Sequence, residues 1–527
     1  MSISRIDDCL SVRNGRLFVE ERDATALTQE FGSPLFVLSE DQLRRNARRF
    51  QKAFQDGWPD GPVKVMPAVK ANWITAVQRV LADEGCGADI YSPGELSVAL
   101  AAGFDPNYIS VNGVPKTEEH VRRTVEVGAR LTIDSTEEVD FLERAVRELG
   151  KTAKVRLRLR PELPGFTDHS DFAGEGLVPT DIAAQAYKGG LSYDEIVPVA
   201  KRIMAMEGVE LVGFHQHHGR HNRSTRYWEE QMKTYAAEIA RVCRLLGGYQ
   251  PSEIDIGGGF ACPRDPFNAA TDYTAPLQLG ILYGLSKMLV PLGADRRYRV
   301  LRPLIDLMES RPNTTSAPSI EEYGAVCTQT LRSELHRHGI STDGVTLELE
   351  PGRAMHGDTA VHLATVQAIT RRRGPVPWNL VTVDTTEFWF TGGRFEHHLH
   401  DYRVANKANA RRVLKTDVVG RSCYGDRILP TVMLPEVEIG DVIAFLDTGA
   451  YQEVSCSNFN AMPRPAVVLV TGDRAEVVRR AETEEDVFRR DVIPEHLRPA
   501  SESAAQQGAA EQDATQQDAA RAASGGD

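Results

Sequence analysis

The sequence lacks the features by which membrane, secreted and nucleic-acid-binding proteins are usually recognised. Its 527 residues contain no apolar run of the roughly 18 residues that a transmembrane helix needs. The first residues, MSISRIDDCL, have no apolar core of signal-peptide length. No block of lysine and arginine occurs, and a formal net charge of −13 opposes binding to a phosphate backbone. We therefore expect a cytoplasmic protein that binds neither membranes nor nucleic acids.

Cysteine is scarce, and its distribution excludes two further kinds of site. The seven cysteines form no C-x-x-C pair and their number is odd, so neither a disulfide framework nor a zinc site is expected. The histidine-rich run EHHLH at 396–400 has no cysteine or carboxylate at a clear ligand spacing. We predict no metal site.

The last segment of the chain lacks leucine, isoleucine, valine and aromatic residues. From Ser501 it reads SESAAQQGAAEQDATQQDAARAASGGD. Such a composition cannot bury enough apolar surface to order the chain, so we predict a disordered tail over 499–527. The whole chain, in contrast, is 41% hydrophobic and 26% charged, which is typical of a globular protein.

Between Val63 and Gly352 the sequence alternates strand-like and helix-like segments. Most segments between the strands place apolar residues at i, i+3 and i+4, as amphipathic helices do. Eight such units in series predict a (β/α)8 TIM barrel over 36–355, and a doubly wound open sheet is the alternative. The predicted strands are VKVMPAV (63–69), ADIYS (88–92), YISVNG (108–113), RLTIDS (130–135), KVRLRLR (154–160), VELVGFH (209–215), EIDIGG (253–258) and TLELE (346–350).

Two other regions have different patterns. An insertion over about 262–321 separates the seventh strand from the helix before the eighth, and it is far longer than a usual loop of this kind. After Met355, β-like runs separated by turns predict an all-β domain over 356–498. The β-like residues 1–35 are predicted to belong to the same domain, which is then discontinuous.

Polar and glycine residues stand at the predicted carboxyl ends of the barrel strands, where barrel enzymes carry their chemistry. Lys70 ends the first strand. It is either the first solvated residue beyond that strand or a Schiff-base lysine in a desolvated site where its amine can lose a proton. The glycine run of Gly257, Gly258 and Gly259 follows strand seven, and the pair Gly352 and Arg353 follows strand eight. Many barrels bind phosphate at the ends of these two strands. The residues at the later strand ends are Asp89, Arg158, His215, His217, Gly257, Gly258, Gly259, Glu350, Gly352 and Arg353.

Six short stretches occur in the order found in a known enzyme family. AVKAN, ADIYSPGEL, the H-x-H of HQHHG, IDIGGGF, EPGR and GAY resemble the motifs of the fold-type III pyridoxal-phosphate-dependent decarboxylases. That family includes diaminopimelate, ornithine and arginine decarboxylases, and the resemblance runs from about Pro34 to Val470. It implies an alanine-racemase-like barrel, pyridoxal 5′-phosphate as cofactor and decarboxylation of a small-molecule amino acid. It also implies a homodimer with shared active sites.

The resemblance implies roles for single residues. Lys70 would form the Schiff base with the cofactor, and Glu350 would face the pyridine nitrogen. His217, rather than His215, would stack on the ring. Cys423, in the loop GRSCYGDRI, would come from the neighbouring subunit and act as the acid. The other residues of the predicted cofactor site are Asp89, Arg158, Gly257, Gly258, Gly259, Gly352, Arg353 and Tyr451.

Three departures from the family pattern bear on the substrate. Arg220 stands where the family has a serine, and the arginine–proline segment of diaminopimelate enzymes is missing, although Arg394 lies nearby. Tyr424 stands where the family has an acid that recognises the second amino group, and Asp426 is the candidate substitute. We place Arg394, Tyr424 and Asp426 in the substrate site. A related amino acid, D-amino acids included, is favoured over diaminopimelate itself.

Two other functions compete with decarboxylation. A racemase on the same cofactor would use a tyrosine base, and Tyr424 beside Cys423 keeps that interpretation open. A non-catalytic relative that regulates a decarboxylase is the third hypothesis. GGGF, EPGR and the cysteine loop favour decarboxylation over racemisation, and the presence of Lys70, Glu350 and Arg353 opposes a purely regulatory role.

Overall fold

A computed structural model of the chain describes residues 8–161, 189–217, 224–262, 280–309, 317–372, 378–389 and 400–498. The predicted tail and parts of the predicted insertion lie outside these residues, and so do Arg220 and Arg394. No helix in the described parts of the chain is both long and apolar enough to cross a membrane.

The N-terminal segment forms a small antiparallel sheet and then enters a larger one. Its elements are β1 (Leu10–Arg13), β2 (Arg16–Val19), β3 (Arg22–Asp23), α1 (Ala24–Phe31) and β4 (Leu35–Ser39). Asp23 begins α1 because its carboxylate accepts hydrogen bonds from the backbone N–H groups of Thr25 and Ala26.

Eight parallel strands form the barrel. They are β5 (Val63–Val65), β6 (Ala88–Ile90), β7 (Ile109–Val111), β8 (Arg130–Ile133), β9 (Ala153–Arg158), β10 (Val209–His215), β11 (Glu253–Asp255) and β12 (Thr346–Leu349). Neighbours follow the order β5-β12-β11-β10-β9-β8-β7-β6. Backbone hydrogen bonds from Gly87 N to Val65 O (2.9 Å) and from Asp89 N to Pro67 O (3.1 Å) close the circle. The predicted barrel is confirmed, and the alternative of an open doubly wound sheet is wrong.

The first barrel strand is shorter than the sequence predicts. β5 ends at Val65, because Pro67 has no N–H group with which to continue the ladder. The chain then forms one 3-10 turn over Val69–Ala71. This turn carries Lys70 to the carboxyl end of the barrel.

Helices lie between the barrel strands, and several of them begin at polar caps. In α4, the hydroxyl of Ser92 accepts a hydrogen bond from Glu95 N, Pro93 is the first helical residue, and Gly103 ends the helix with φ 85°. The helices from β4 to the end of the barrel are α2 (Glu40–Gly57), α3 (Thr75–Asp83), α4 (Pro93–Ala102), α5 (Glu118–Val127), α6 (Thr136–Leu149), α7 (Ile196–Met204), α8 (Thr225–Leu245), α9 (Ala294–Glu309), α10 (Ile320–Arg337) and α11 (Arg353–His356).

An aromatic cluster packs the helices against the barrel near β11. Phe260 stacks on Trp228 of α8 with ring centroids 4.5 Å apart. Phe50 and Phe54 of α2 contact the same ring of Phe260, at 5.8 and 5.7 Å. Tyr323 of α10 completes the cluster at 5.2 Å from Phe260. These rings hold α2, α8 and α10 around the strand whose end carries the glycine run.

The remaining strands form a nine-stranded sheet with β4. They are β13 (Ala360–Arg372), β14 (Trp378–Val383), β15 (Tyr402–Val404), β16 (Leu414–Val419), β17 (Arg427–Leu434), β18 (Val442–Leu446), β19 (Ala466–Thr471) and β20 (Arg474–Arg479). The path is β17-β16-β14-β13-β4-β19-β20, and β18 pairs with β13 and β15. Leu10, Leu17 and Leu27 of the N-terminal segment share a core with Val361 and Val468 of this sheet.

Residues 461–463 and 482–498 belong to a separate small unit. It contains the short helix α12 (Glu484–Phe488). Thr483 and Asp486 begin this helix with a capping box, in which each side chain accepts a hydrogen bond from the backbone N–H of the other residue.

Candidate active site

Lys70 lies on the turn that follows the first barrel strand. Val69 and Ala71 on either side of it are buried, whereas Lys70 itself is exposed. The β domain fixes the turn, because Tyr451 N donates a hydrogen bond to Ala71 O at 2.8 Å and Asn72 Nδ2 donates to Gly449 O at 3.0 Å. The position of Lys70 therefore depends on contacts between the barrel and the β domain.

Acidic groups surround the amine of Lys70. Although the Lys70 side chain is accessible to solvent, the protein around it at the barrel mouth lowers its pKa by desolvation. The nearby charges of Asp89 and Glu350 outweigh this effect and raise the pKa above its ordinary value. The interpretation of Lys70 as a Schiff-base lysine whose amine can lose a proton stays a prediction. The neighbouring carboxylates also distinguish Lys70 from an ordinary solvated residue beyond a strand.

Asn112 joins the two acids beside Lys70. Its Nδ2 atom donates hydrogen bonds to Asp89 Oδ1 at 2.7 Å and to Glu350 Oε1 at 2.6 Å. Asp89 lies on β6, Asn112 directly after β7 and Glu350 directly after β12, and all three side chains are buried. The amide thus fixes in one place two carboxylates from the strands on either side of β5.

The two histidines at the end of β10 have different environments. His215 is fully buried with Nε2 3.2 Å from Glu350 Oε1, and burial lowers the pKa of His215 to about 3. His217 accepts a hydrogen bond from Gly258 N on Nδ1 at 3.1 Å, and its side chain is 26% exposed. Arg158 Nη2 donates to the His217 carbonyl at 3.3 Å. His217 can therefore contact a ligand, whereas His215 supports Glu350.

The glycine run after β11 allows a close approach of three strand ends. A Cβ atom at Gly258 would lie 2.3 Å from the carbonyl oxygen of Glu350, and one at Gly257 would lie 2.2 Å from that of Gln216. Gly257 and Gly259 also have positive φ angles of 71° and 106°. A side chain at these positions would push the loop away from His217 and Glu350.

Gly352, Arg353 and Tyr451 lie together beside the turn of Lys70. A Cβ atom at Gly352 would lie 2.6 Å from the hydroxyl of Tyr451 and 3.6 Å from Cβ of Ala71. The guanidinium carbon of Arg353 lies 5.0 Å from the centre of the Tyr451 ring. The phenol and the guanidinium can both donate hydrogen bonds to an anion at this point.

The loop between β16 and β17 carries the predicted catalytic cysteine. Cys423 is exposed, and its N–H donates a hydrogen bond to Asn460 Oδ1 at 3.0 Å. Asn460 Nδ2 donates in return to Cys423 Sγ at 3.1 Å. Tyr424 is 53% exposed, and its ring meets Phe388 edge-on at 5.9 Å. The thiol is thus held in one orientation on an accessible loop.

Asp426, which the sequence places in the substrate site, is bound to its own loop. The residue is buried, and its carboxylate accepts hydrogen bonds from Ser422 N at 2.7 Å, Glu387 N at 2.6 Å and Thr386 Oγ1 at 3.1 Å. Both oxygens are engaged in holding the loop. The substrate role of Asp426 stays a prediction, and these hydrogen bonds favour a role in holding the loop.

The sequence interpretation missed three residues of this arrangement. Asn112 ends the predicted third strand, so its position gave a usable signal. Asp255 lies inside the quoted motif IDIGGGF, where its atoms come within 4.8 Å of those of His215 and Glu350. Asn460 is 37 residues away from Cys423 in the chain, and no local pattern marks it. Of the predicted site, Arg394 lies outside the described residues.

Comparisons with known proteins agree with the geometry. A family model described as "Pyridoxal-dependent decarboxylase, pyridoxal binding domain" matches residues 40–277, and one described as "Pyridoxal-dependent decarboxylase, C-terminal sheet domain" matches residues 166–449. The chain is 28% identical over 494 residues to the diaminopimelate decarboxylase of Archaeoglobus fulgidus, which covers 92% of this chain and 99% of the relative. It is 30% identical over 486 residues to that of Actinosynnema pretiosum subsp. auranticum, which covers 91% of this chain and 94% of the relative.

Solved structures show the same architecture. The diaminopimelate decarboxylase of M. jannaschii in complex with L-lysine superimposes with a TM-score of 0.77 at 24% identity, over 93% of this chain and 99% of that one. A lysine/ornithine decarboxylase of Vibrio vulnificus complexed with putrescine superimposes with a TM-score of 0.62 at 17% identity, over 85% of this chain and 97% of that one.

Proposed function

The chain belongs to the pyridoxal-dependent decarboxylase family, and from that membership we propose that its active site is built around Lys70. The protein is a carboxy-lyase that uses pyridoxal 5′-phosphate and acts on an amino acid. The observation that supports the assignment of Lys70 is its place on the turn after β5, at the end of the barrel where Asn112 binds the carboxylates of Asp89 and Glu350. The relatives favour neither a racemase nor a non-catalytic regulator.

The residues around Lys70 fit this cofactor. Pyridoxal phosphate needs an amine for its aldehyde, an anion beside its ring nitrogen and donors for its phosphate. Lys70 offers the amine and Glu350 the anion. The backbone at Gly258 and Gly352 leaves space that a Cβ atom would fill, and Arg353 adds charged donors.

We assign the holding and orienting of the reacting groups to the chain's own residues. When bound, the cofactor accepts the electron pair that departing CO2 leaves on the substrate. Glu350, which accepts a hydrogen bond from Asn112, holds a proton at the ring nitrogen. His217 is oriented by the hydrogen bond from Gly258 N and would pack against the cofactor ring.

We assign the return of a proton to the substrate's α-carbon to Cys423. The thiol can give up its proton, and Asn460 orients it through two hydrogen bonds. Because Cys423 is exposed on its own chain, it would act in the site of a second copy, in a homodimer with shared active sites. The cytoplasmic location stays a prediction.

We propose that the substrate is an amino acid other than meso-diaminopimelate, with a distal end that needs no carboxylate partner. Tyr424 stands where the family has an acid, and a phenol carries no negative charge at neutral pH. Phe388 beside it stacks on Phe459 at 4.2 Å, so the surroundings of Tyr424 are aromatic. Asp426 is engaged within the loop. A desolvated ammonium without an anion would be costly here.

The test is an assay of the full chain with pyridoxal phosphate and a panel of L-, D- and meso-amino acids. Release of CO2 and of the amine product is measured for wild type, for Lys70→Ala and for Tyr424→Glu. We expect Lys70→Ala to lose both the absorbance of the lysine-bound cofactor and the turnover. A borohydride-reducible adduct at full occupancy in Lys70→Ala would show that the assignment of Lys70 is wrong.

The same panel tests the substrate proposal. Another amino acid should exceed meso-diaminopimelate in kcat/KM by at least about tenfold, equivalent to about 1.4 kcal/mol. Tyr424→Glu should shift the ratio towards meso-diaminopimelate, because it restores an anion. If meso-diaminopimelate is the best wild-type substrate by tenfold or more, the proposal about the distal end is refuted while the assignment of Lys70 stands.

A further inference from the structure

A series of buried charges crosses the interior of the barrel and ends at the active site. Arg130 of β8 contacts Glu253 at 3.0 Å and Glu348 at 2.7 Å. Arg156 of β9 contacts Glu348 at 2.6 Å and Asp255 at 2.9 Å. Decarboxylation of the substrate requires none of these side chains directly. Their arrangement therefore calls for another explanation.

Asp255 is the member of this series that reaches the active site. Its Oδ1 accepts a hydrogen bond from Gly257 N at 2.8 Å, and its Oδ2 faces Arg156. A carboxylate oxygen of Asp255 and one of Glu350 come within 4.8 Å of each other, and His215 lies at the same point. Two carboxylates so close in a buried place repel each other unless one holds a proton.

Among the described residues, the acids around the pair outnumber the cations. The cations are Lys64, Lys70, Arg130 and Arg156, and the acids are Asp89, Glu95, Glu253, Asp255, Glu348 and Glu350. His215 adds no charge, because burial lowers its pKa to about 3. The neighbouring ion pairs Arg158–Asp134 and Lys116–Glu138 balance each other. His217 and Tyr235 complete the surroundings, and the Tyr235 hydroxyl donates to the Asp255 carbonyl at 2.9 Å.

We propose that Asp255 is a positioning residue of the decarboxylase, which shares one proton with Glu350 and holds that side chain in place. Arg156 and the backbone N–H of Gly257 anchor Asp255. Glu350 is then held by Asp255 and by the hydrogen bond from Asn112, and His215 lies 3.2 Å from it. The inference rests on the proposed function, because that function assigns Glu350 to the ring nitrogen of the cofactor. Asp255 also fixes the start of the glycine run, because its Oδ1 accepts the hydrogen bond from Gly257 N.

The pKa directions agree with this arrangement. Burial, followed by the charge of Glu350, raises the pKa of Asp255, and burial, followed by the charge of Asp89, raises the pKa of Glu350. The folded, cofactor-free chain therefore holds a proton that the unfolded chain releases above about pH 4. The stability that this proton brings is complete below the unfolded pKa and is lost as the pH rises through the raised folded pKa.

The experiment compares the full-length chain, freed of cofactor, in four variants and wild type. These are Asp255→Asn, Glu350→Gln, the double variant and Asp417→Asn, a control that removes a buried carboxylate in the β domain. Tm is measured from pH 5 to pH 9. Asp255→Asn and Glu350→Gln should each flatten the decline of Tm with pH, and the double variant should flatten it no further. Asp417→Asn should lower Tm equally at every pH.

A second measurement uses the cofactor-loaded chain. Asp255→Asn should lose cofactor at least about tenfold faster than wild type on dilution at pH 8, whereas Asp417→Asn should not. The proposal is overturned if Tm of Asp255→Asn declines with pH as steeply as that of wild type. It is also overturned if the double variant reduces this decline by the sum of the reductions in the two single variants.

A third measurement does not depend on the folding of Asp255→Asn. The infrared spectrum of cofactor-free wild type at pH 7 should contain the band of a buried protonated carboxyl group, and Glu350→Gln should lack it. Absence of this band in wild type overturns the proposal. Because the Tm and infrared measurements are made without cofactor, they fail or succeed independently of the assignment of Lys70.

Discussion

Replacing Asp426 by asparagine decides whether this residue holds the cysteine loop or binds the substrate. In Asp426→Asn, one oxygen becomes an NH2 group that must face a backbone N–H, either Ser422 N at 2.7 Å or Glu387 N at 2.6 Å. The variant loses one hydrogen bond to a charged group, about 1.5–3 kcal/mol, and leaves a buried donor unsatisfied, about 1–3 kcal/mol. Asparagine tolerates the positive φ of 45°, so backbone strain adds little.

We therefore expect Asp426→Asn to lower the free energy of unfolding by about 2–4 kcal/mol, since the two contributions overlap. The measurement is thermal unfolding of the full chain, together with the rate at which Cys423 reacts with iodoacetamide. The alkylation rate should rise as the loop loosens. Asp83→Asn is the matched control, because Asp83 makes an exposed ion pair with Arg79 at 3.0 Å that contributes at most about 1 kcal/mol.

The substrate role makes the opposite prediction for the same variant. If Asp426 binds a substrate ammonium, Asp426→Asn should raise KM without changing Tm or the alkylation rate of Cys423. An unchanged Tm together with a KM raised tenfold or more would refute the structural role. It would return Asp426 to the substrate site that the sequence predicted.

Three further predictions concern the cofactor, the subunits and acid stability. Arg353→Ala should weaken cofactor binding by about 1.5–3 kcal/mol, measured by titration, and unchanged affinity would remove Arg353 from the site. Mixed Lys70→Ala and Cys423→Ala subunits should regain part of the activity, because one hybrid site carries both wild-type residues; no recovery despite subunit exchange would contradict shared sites. Hydrogen bonding from Arg332 lowers the pKa of Asp60 to about 2, so this carboxylate stabilises the fold above about pH 4, and that stability is lost as the pH falls through about 2. Asp60→Asn should therefore flatten the acid limb of Tm against pH, and an acid limb as steep as that of wild type would contradict this role.

Much of the fold was predictable because its signals are local. Each barrel strand is a short apolar run followed by a helical pattern, and all eight appear where the sequence indicated them. The strand ends carry Lys70 and the glycine run within a few residues of those signals. What local patterns missed is the exact end of the first strand, where Pro67 interrupts the ladder.

The roles of Asp426 and Lys70 show where local reasoning stops. Asp426 lies two residues beyond Tyr424, the position of the family's acid, which suggested that Asp426 binds the substrate. Its hydrogen-bond partners Thr386 and Glu387 lie about 40 residues earlier and reach it only in the folded sheet. The pKa of Lys70 likewise depends on Glu350, which comes from the far end of the barrel sequence.

The sequence by itself determined the elements and the strand ends at which chemistry is expected, because apolar periodicity, glycines and charged motifs are written in contiguous residues. The cofactor was implied by the resemblance of those motifs to a known family. Only the tertiary structure decided which charges meet. Asp255 and Glu350 stand on adjacent strands although 95 residues separate them, and Arg156 reaches both β11 and β12 from β9. Coulomb energy and burial depend on distance in space, and closure of the barrel sets those distances.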